Sequence, residues 1–316
     1  MHGAGDVVVD FRSPTGEWAT AEATAAAFST LPCVVIGLVN AKVEPTSVVE
    51  VGAVCDVILT EAEHDRFGDE LHRSIGEHRF AAAALALHLR GSKGRTLEQG
   101  LVAESTVYSL LQSGPEFRRW LGSRTPKGQP VQENQDPVDS QRVGDSLHIT
   151  LNRPGRHNAF NRAMRDCLSD ALELALVDST ISEVVVRGSG ASFCSGGDLS
   201  EFGGFTSPVE SHLTRLTRSP ARLLARLHDI TTVVLHGTCY GAGIELPAFA
   251  KRVIARSDTR IRLPELGLGL IPGAGGTVSM PLRIGRHRTA LLGLSQTVIS
   301  ASTALEWGLI DAIDDE

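Results

Sequence analysis

The sequence predicts an α/β protein, and three observations carry that expectation. Runs of strand length rich in β-branched residues recur along the chain: VVVDF at 7–11, CVVIGLV at 33–39, SLHITLN at 146–152, EVVVRGS at 183–189 and TTVVLHG at 231–237. Longer stretches with apolar residues at helical spacing lie between or after them, at 67–90, 97–121 and 158–177. Glycine-rich turns follow the last two of these strands. Strands that alternate with helices point to a layered fold, in which helices cover the faces of a sheet.

The remaining length and composition bound the problem. A chain of 316 residues with 42% hydrophobic and 21% charged side chains has ample capacity for a core, as one large domain or two smaller ones. No apolar run is long enough to span a membrane. A formal charge of -7 argues against a broad basic surface for nucleic acid. The arginines 215, 218, 222 and 226, at near-helical spacing, read as a solvated helix face. Five scattered cysteines without a C-x-x-C pair indicate neither a disulfide framework nor a metal site. The opening MHGAGDVVVD lacks the pattern of a secretory signal, so a cytoplasmic protein is expected.

Residues 123–145 are rich in Pro, Gln, Asp and Ser and lack apolar periodicity. They divide the chain into a first domain at 1–122, a linker at 123–141 and a second domain at 142–316. A weak internal repeat relates PCVVIGLVN and EVGAVCDVILT (50–60) to TTVVLHG and ELPAFAKRVIA (245–255). Each copy has a strand, an acid and an apolar passage into a further strand.

Three segments carry chemistry. In A-S-F-C-S-G-G-D-L (191–199) a strand runs into a Gly-Gly turn, which lets the backbone fold sharply and present the Ser195 N–H. The bland reading is an ordinary turn, with Asp198 capping the next helix. In H-G-T-C-Y-G-A-G-I-E-L (236–246) a strand ends at glycines and a helix begins near Pro247, so the Ala242 N–H can face developing negative charge. Close strand–helix packing is the alternative. In L-P-E-L-G-L-G-L-I-P-G-A-G-G-T (263–277) the glycine and proline density marks a loop that presses backbone against a ligand, another subunit or solvent.

In combination and order these segments resemble the enoyl-CoA hydratase/isomerase (crotonase) family, from about Asp145 to the C-terminus. L-N-R-P-G-R-H-N-A-F-N (151–161) is similar to the family's opening strand and CoA-contacting turn, and T-A-L-E-W-G-L-I-D-A-I (303–313) to the segment that closes its spiral core. The resemblance implies a crotonase-like ββα spiral core. It implies a thioester carbonyl held between the Ser195 and Ala242 amides, with Ser195, Gly196, Gly197, Asp198 and Ala242 around the thioester and Arg156 and Asn158 toward the CoA nucleotide. Glu245 and Glu265, twenty residues apart, fall on the family's acidic pair. Two carboxylates suit addition of water to a 2-enoyl thioester, one activating water and one handling the α-proton. No prosthetic group is implied, since coenzyme A or phosphopantetheine is part of the substrate. A homo-oligomer, trimer or hexamer, is expected. Another thioester reaction of the family, or a non-catalytic partner subunit, stays open.

The chain departs from the family pattern in two ways. Ala250 and Lys251 stand where a Cys-Asp pair is usual, whereas Cys55 and Asp56 sit at the matching distance from Glu50. The sequence given ends at Glu316, where the family continues into helices that cover the acyl pocket, while 100–121 resembles such a tail. The first domain therefore reads as a degenerate, related α/β domain ending in helices, and its helices 67–121 as a replacement cover.

Overall fold

The computed structural model describes residues 5–12, 28–40, 54–124, 136–204 and 207–315. Glu50 and most of the linker fall outside these residues. The N-terminal part opens with a parallel three-stranded sheet: β1 (Asp6–Asp10), β2 (Val34–Val39) and β3 (Val57–Thr60), in the order β1-β2-β3. All six residues of β2 are buried, as expected of a central strand covered on both faces. Thr60 then caps α1 (Glu61–Glu77) with a capping box to Glu63, the arrangement that T-E-A-E encodes. Helices α2 (Arg79–Arg90), α3 (Leu97–Gln112) and α4 (Pro115–Ser123) follow.

The expected helices 67–90 and 97–121 are each interrupted. The first breaks at His78, whose φ/ψ of -131°/48° leaves the helical region. The second breaks at Ser113-Gly114, where Pro115, lacking an N–H, begins a new helix at its first position.

The second part is built on a six-stranded sheet ordered β12-β9-β7-β6-β5-β4: β4 (Val138–Val143), β5 (Ser146–Leu151), β6 (Glu183–Gly188), β7 (Thr231–Leu235), β9 (Arg252–Ala255) and β12 (Ala312–Ile313). A smaller sheet joins β8 (Thr238–Tyr240), β10 (Arg260–Arg262) and β11 (Ile299–Ser300). The helices are α5 (Arg162–Val177), α6 (Pro208–Thr217), α7 (Pro220–Arg226), the single turn α8 (Ala242–Glu245), α9 (Gly276–Ser295, kinked at Gly285, whose φ/ψ of 74°/163° leaves the helical region) and α10 (Ala301–Trp307). One boundary needs correction. Residues 138–141, read as linker, belong to β4, which forms an antiparallel hairpin with β5. Only Val138 of β4 is buried, so an exposed edge strand carries none of the apolar alternation by which strands are recognised.

The two parts share a core. Side chains of β2, β3 and α1–α4 and those of the second sheets form one continuous buried cluster. Helix α9 packs on α1, α2 and α3, and α3 lies along α6. All five cysteines are free thiols. Among the described residues no helix is long and apolar enough to cross a membrane.

Candidate active site

Two glycine turns are brought together by backbone pairing. Cys194 N–H donates to Thr238 O (3.1 Å) and Tyr240 N–H to Cys194 O (3.0 Å), so the turn after β6 runs beside β8. On its other side the same turn pairs with 157–160. Phe160 N–H donates to Gly196 O (2.8 Å), and Asp198 N–H donates to Phe160 O (3.0 Å). Since 196 and 198 face that neighbour, the intervening Gly197 amide points the other way, toward a cavity. At the end of β8, Gly241 begins α8, and Ala242 supplies the first helical N–H, which has no intrahelical partner. Among the described residues neither the Gly197 nor the Ala242 N–H has a backbone acceptor. Both residues line one cavity of about 220 Å³.

Two carboxylates open on the same cavity. β10 runs parallel to β8 and leads into the turn Glu265–Leu268, which sets Glu265 opposite Gly241. A Cβ placed on Gly241 would strike Glu265 Oε1 and stand 3.7 Å from Glu245 Oε1. Both acids therefore converge over this glycine, whose φ of 49° and ψ of -120° L side chains also avoid. Glu245 is 1% exposed, and its Oε2 accepts from the N–H groups of Ala274 (2.7 Å) and Gly276 (2.9 Å). Glu265 is half-buried, with Oε2 sealed and without a partner among the described residues.

Burial, and then the neighbouring Glu265 and Glu104 charges, pushes Glu245 well above the ordinary carboxylate range. Burial likewise raises Glu265, to about 8. Two acids this close do not both ionise readily. Two N–H bonds at the start of α9 partly offset this at Glu245, whereas Glu265 Oε2 meets no donor among the described residues.

The N-terminal part supplies one wall. Along α3, Leu101, Glu104, Ser105 and Tyr108 line the cavity, and Arg215 of α6 stacks over the Tyr108 ring at 4.5 Å. Glu104 is 2% exposed.

Comparison with known proteins identifies this architecture. The family model described as enoyl-CoA hydratase/isomerase matches residues 144–316. The chain belongs to the enoyl-CoA hydratase/isomerase (crotonase) family of enzymes. It is 34% identical over 171 residues to 2,3-dehydroadipyl-CoA hydratase of Escherichia coli K12, a match covering 53% of this chain and 65% of that protein. It is 35% identical over 175 residues to 1,2-epoxyphenylacetyl-CoA isomerase of the same organism, covering 54% and 67%. The chain thus spans about two thirds of the length of these relatives. Among solved structures, an enoyl-CoA hydratase from Thermoplasma volcanium GSS1 superposes with a TM-score of 0.53 at 30% identity, covering 59% of this chain and 75% of that one. The α/β crotonase fold expected from the motifs is therefore present.

Within this crotonase fold, the structure gathers Gly197, Asp198, Ala242, Glu245 and Glu265 around the cavity. Four other expected site residues, Ser195, Gly196, Asn158 and Arg156, lie outside the cavity lining. The Ser195 N–H is committed to His157 O (2.9 Å), and Ser195 and Gly196 stand outside the cavity lining. The outward amide lies two residues later because Gly196, at φ 94°, reverses the chain between them. Asn158 is fully buried, accepting from Arg153 N–H (2.7 Å) and donating to Ser189 O and Ser192 O (both 2.8 Å). It staples its turn to its neighbours, with both side-chain polar atoms engaged and buried away from any nucleotide. Arg156 is exposed on the turn Pro154–Arg156, also away from the cavity lining.

Asp198 Oδ1 accepts from Ser200 N–H (3.0 Å), and its Oδ2 pairs with Arg153 (3.0 Å). Burial would raise its pKa, but the Ser200 bonds and Arg153 bring it below the ordinary value. Arg215 is not a solvated-face residue: it donates to Ser105 Oγ (3.1 Å) and to the hydroxyls of Ser109 and Ser211. Sequence reasoning placed Gly197 around the thioester without seeing that its amide is the one facing the cavity, and it missed Glu104 and Tyr108. For Glu104 a signal existed, since it is an acid on the same helical stripe as Leu101, Tyr108 and Leu111.

Proposed function

We propose that this chain adds water reversibly to 2-enoyl-CoA thioesters. The observation that carries the reading is the convergence of Glu245 and Glu265 over Gly241, in one cavity with the Gly197 and Ala242 amides, which have no backbone acceptor among the described residues. The thioester oxygen takes the place between the Gly197 and Ala242 N–H groups. Such fixed donors, aimed at charge that grows in the transition state, are each worth ~10²–10³ in rate. A water held between the carboxylates loses a proton to Glu245 as its oxygen bonds to Cβ. The π electrons move to the thioester oxygen as an enolate, which collapses by taking the Glu265 proton at Cα. Product release and exchange with solvent return the proton to Glu265. Dehydration is the same path in reverse.

The reaction needs no prosthetic group, the CoA being part of the substrate. We read 1–122 as a decayed, related domain that completes the pocket. In support, parallel β2 and β3, the latter entered through Cys55-Asp56, parallel the pair β7 and β9, the latter entered through Ala250-Lys251. Cytoplasmic location and self-association as a trimer or hexamer belong to the same proposal.

Crotonyl-CoA hydration, followed by loss of the enoyl thioester absorbance, is the test. Glu245→Gln and Glu265→Gln are each expected to lower kcat by ~10²–10⁴. If the wild type hydrates no enoyl thioester of any chain length, the reading falls. Loss of turnover in Glu265→Gln alone, with Glu245→Gln active, would indicate an isomerase.

A further inference from the structure

The turn that holds Glu245 is itself held from the N-terminal part of the chain. Four successive amides, from Ala274 to Thr277, are divided alternately between two carboxylates. Those of Ala274 and Gly276 go to Glu245 Oε2 (2.7 and 2.9 Å). Those of Gly275 and Thr277 go to Glu104 Oε1 and Oε2 (2.7 and 2.9 Å). The Thr277 hydroxyl also donates to Glu104 Oε2 (2.7 Å) and therefore accepts from His88 Nε2, 2.8 Å away on α2. Without the second carboxylate, two amides of a buried turn would lack acceptors, and the turn would be free to rotate its other two off Glu245.

We propose that Glu104 is a positioning residue: by fixing the turn 274–277 it keeps Glu245 Oε2 pinned and Oε1 aimed into the cavity. Glu104 acts through the backbone of the turn rather than on the substrate. The segment 1–122, which lies outside the region matched by the crotonase family model, is then part of the working site. As a statement about catalysis the inference rests on the hydratase reading. As a statement about the turn it does not.

Glu104 is also a charge in a crowded cluster. It faces Glu245 of α8, Glu265 of the 265–268 turn, Arg215 of α6, the neutral Tyr108 of its own helix and His88 of α2. Burial and then nearby Arg95 lower the His88 pKa to about 4, so His88 is neutral near pH 7. Negative charge on Glu104 raises both Glu245 and Glu265, while Arg262 lowers Glu265. Burial raises Glu104 itself to about 7, so its charge is felt above that pH; neutralising it lowers the pKa values of the pair there, and the alkaline limb of the kcat–pH profile moves to lower pH. A residue that served folding alone would leave the profile in place.

The experiment is Glu104→Gln in the full-length protein, with kcat, KM, the pH profile and hydrogen exchange of a peptide spanning 273–280 measured together. Expected are a kcat lower by ~10–100-fold, a KM within about threefold of wild type, an acidic shift of the alkaline limb and faster exchange at 274–277. Thr277→Val, which removes one bond to Glu104 and leaves its carboxylate in place, provides a second variant should Glu104→Gln fail to fold. It is expected to raise exchange and lower kcat by a smaller factor without moving the profile. Unchanged exchange in both folded variants, or a kcat loss with an unmoved profile in Glu104→Gln, overturns the proposal. Exchange needs no turnover, so an inactive wild type would sink the hydratase reading and still leave the clamp to be decided.

Discussion

Glu265→Gln tests where the shared proton sits, through stability rather than turnover. Glu265 Oε2 is sealed without a partner among the described residues, and burial lifts the carboxyl from 4.5 to about 8. An acid whose folded pKa is raised binds more protons in the folded state across that window. Stability is accordingly greatest at or below the unfolded value near 4.5 and is lost as pH rises toward about 8. The full shift corresponds to nearly 5 kcal/mol, at about 1.4 kcal/mol per unit. Because Glu265 is only half-buried and its other oxygen opens on the cavity, about 2 kcal/mol is the reasonable share. Glutamine keeps the shape and has no charge to desolvate. The variant should match wild type near pH 5 and melt roughly 4 °C higher near pH 8.5, while being nearly inactive. Calorimetric scans of both proteins at the two pH values decide the matter. A difference in melting temperature that does not grow with pH, or a wild type more stable in alkali, would refute the assignment of the proton to Glu265.

Three further outcomes are expected. Ala242→Pro removes the proposed oxyanion donor at a first helical position, where proline is tolerated, so kcat should fall ~10²–10³-fold with little change in far-UV circular dichroism. Asn158→Ala strips three hydrogen bonds from a buried turn and should lower the unfolding free energy by about 3 kcal/mol in urea titration, with KM for the thioester nearly unchanged in the fraction that folds. Arg90→Met leaves Asp56, 1% exposed, without its two-point partner (2.6 and 2.8 Å) and strands the carbonyls of Leu31 and Cys33. A loss of about 3–5 kcal/mol in the same titration is expected.

The sequence is most informative where chemistry is local. β2, β5, β6 and β7 are legible because burial on one or both faces selects β-branched runs, and the capping boxes at Thr60 and Thr96 lie within four residues of their partners. Glu245 and Glu265 are legible through the spacing of glycine turns that two adjacent parallel strands, β8 and β10, must respect. The linker end is misread because β4 is an exposed edge. The amide that faces the cavity is misplaced by two residues for a related reason. A Gly-Gly turn shows in the sequence, but which of its amides faces inward depends on the neighbour that takes the others. That neighbour, 157–160, is remote in the chain.

Glu104 shows where such reading stops. Its bonds to Gly275 and Thr277 cross 171 and 173 positions of sequence, and no periodicity reports a contact of that span. What the sequence does display is a conflict: a carboxylate on a stripe otherwise built to be buried. A buried acid is unfavourable unless several donors meet it, so such a residue in a stable helix implies an orphaned group on whatever packs against that face. Here the orphans are the free amides at the start of α9, the helix that follows the loop holding Glu245. The requirement runs both ways. Helix α9 cannot begin inside the core without an acceptor for those amides, and α3 cannot bury Glu104 without a donor. The packing of α3 on the start of α9 and the hold on Glu245 thus share one set of hydrogen bonds.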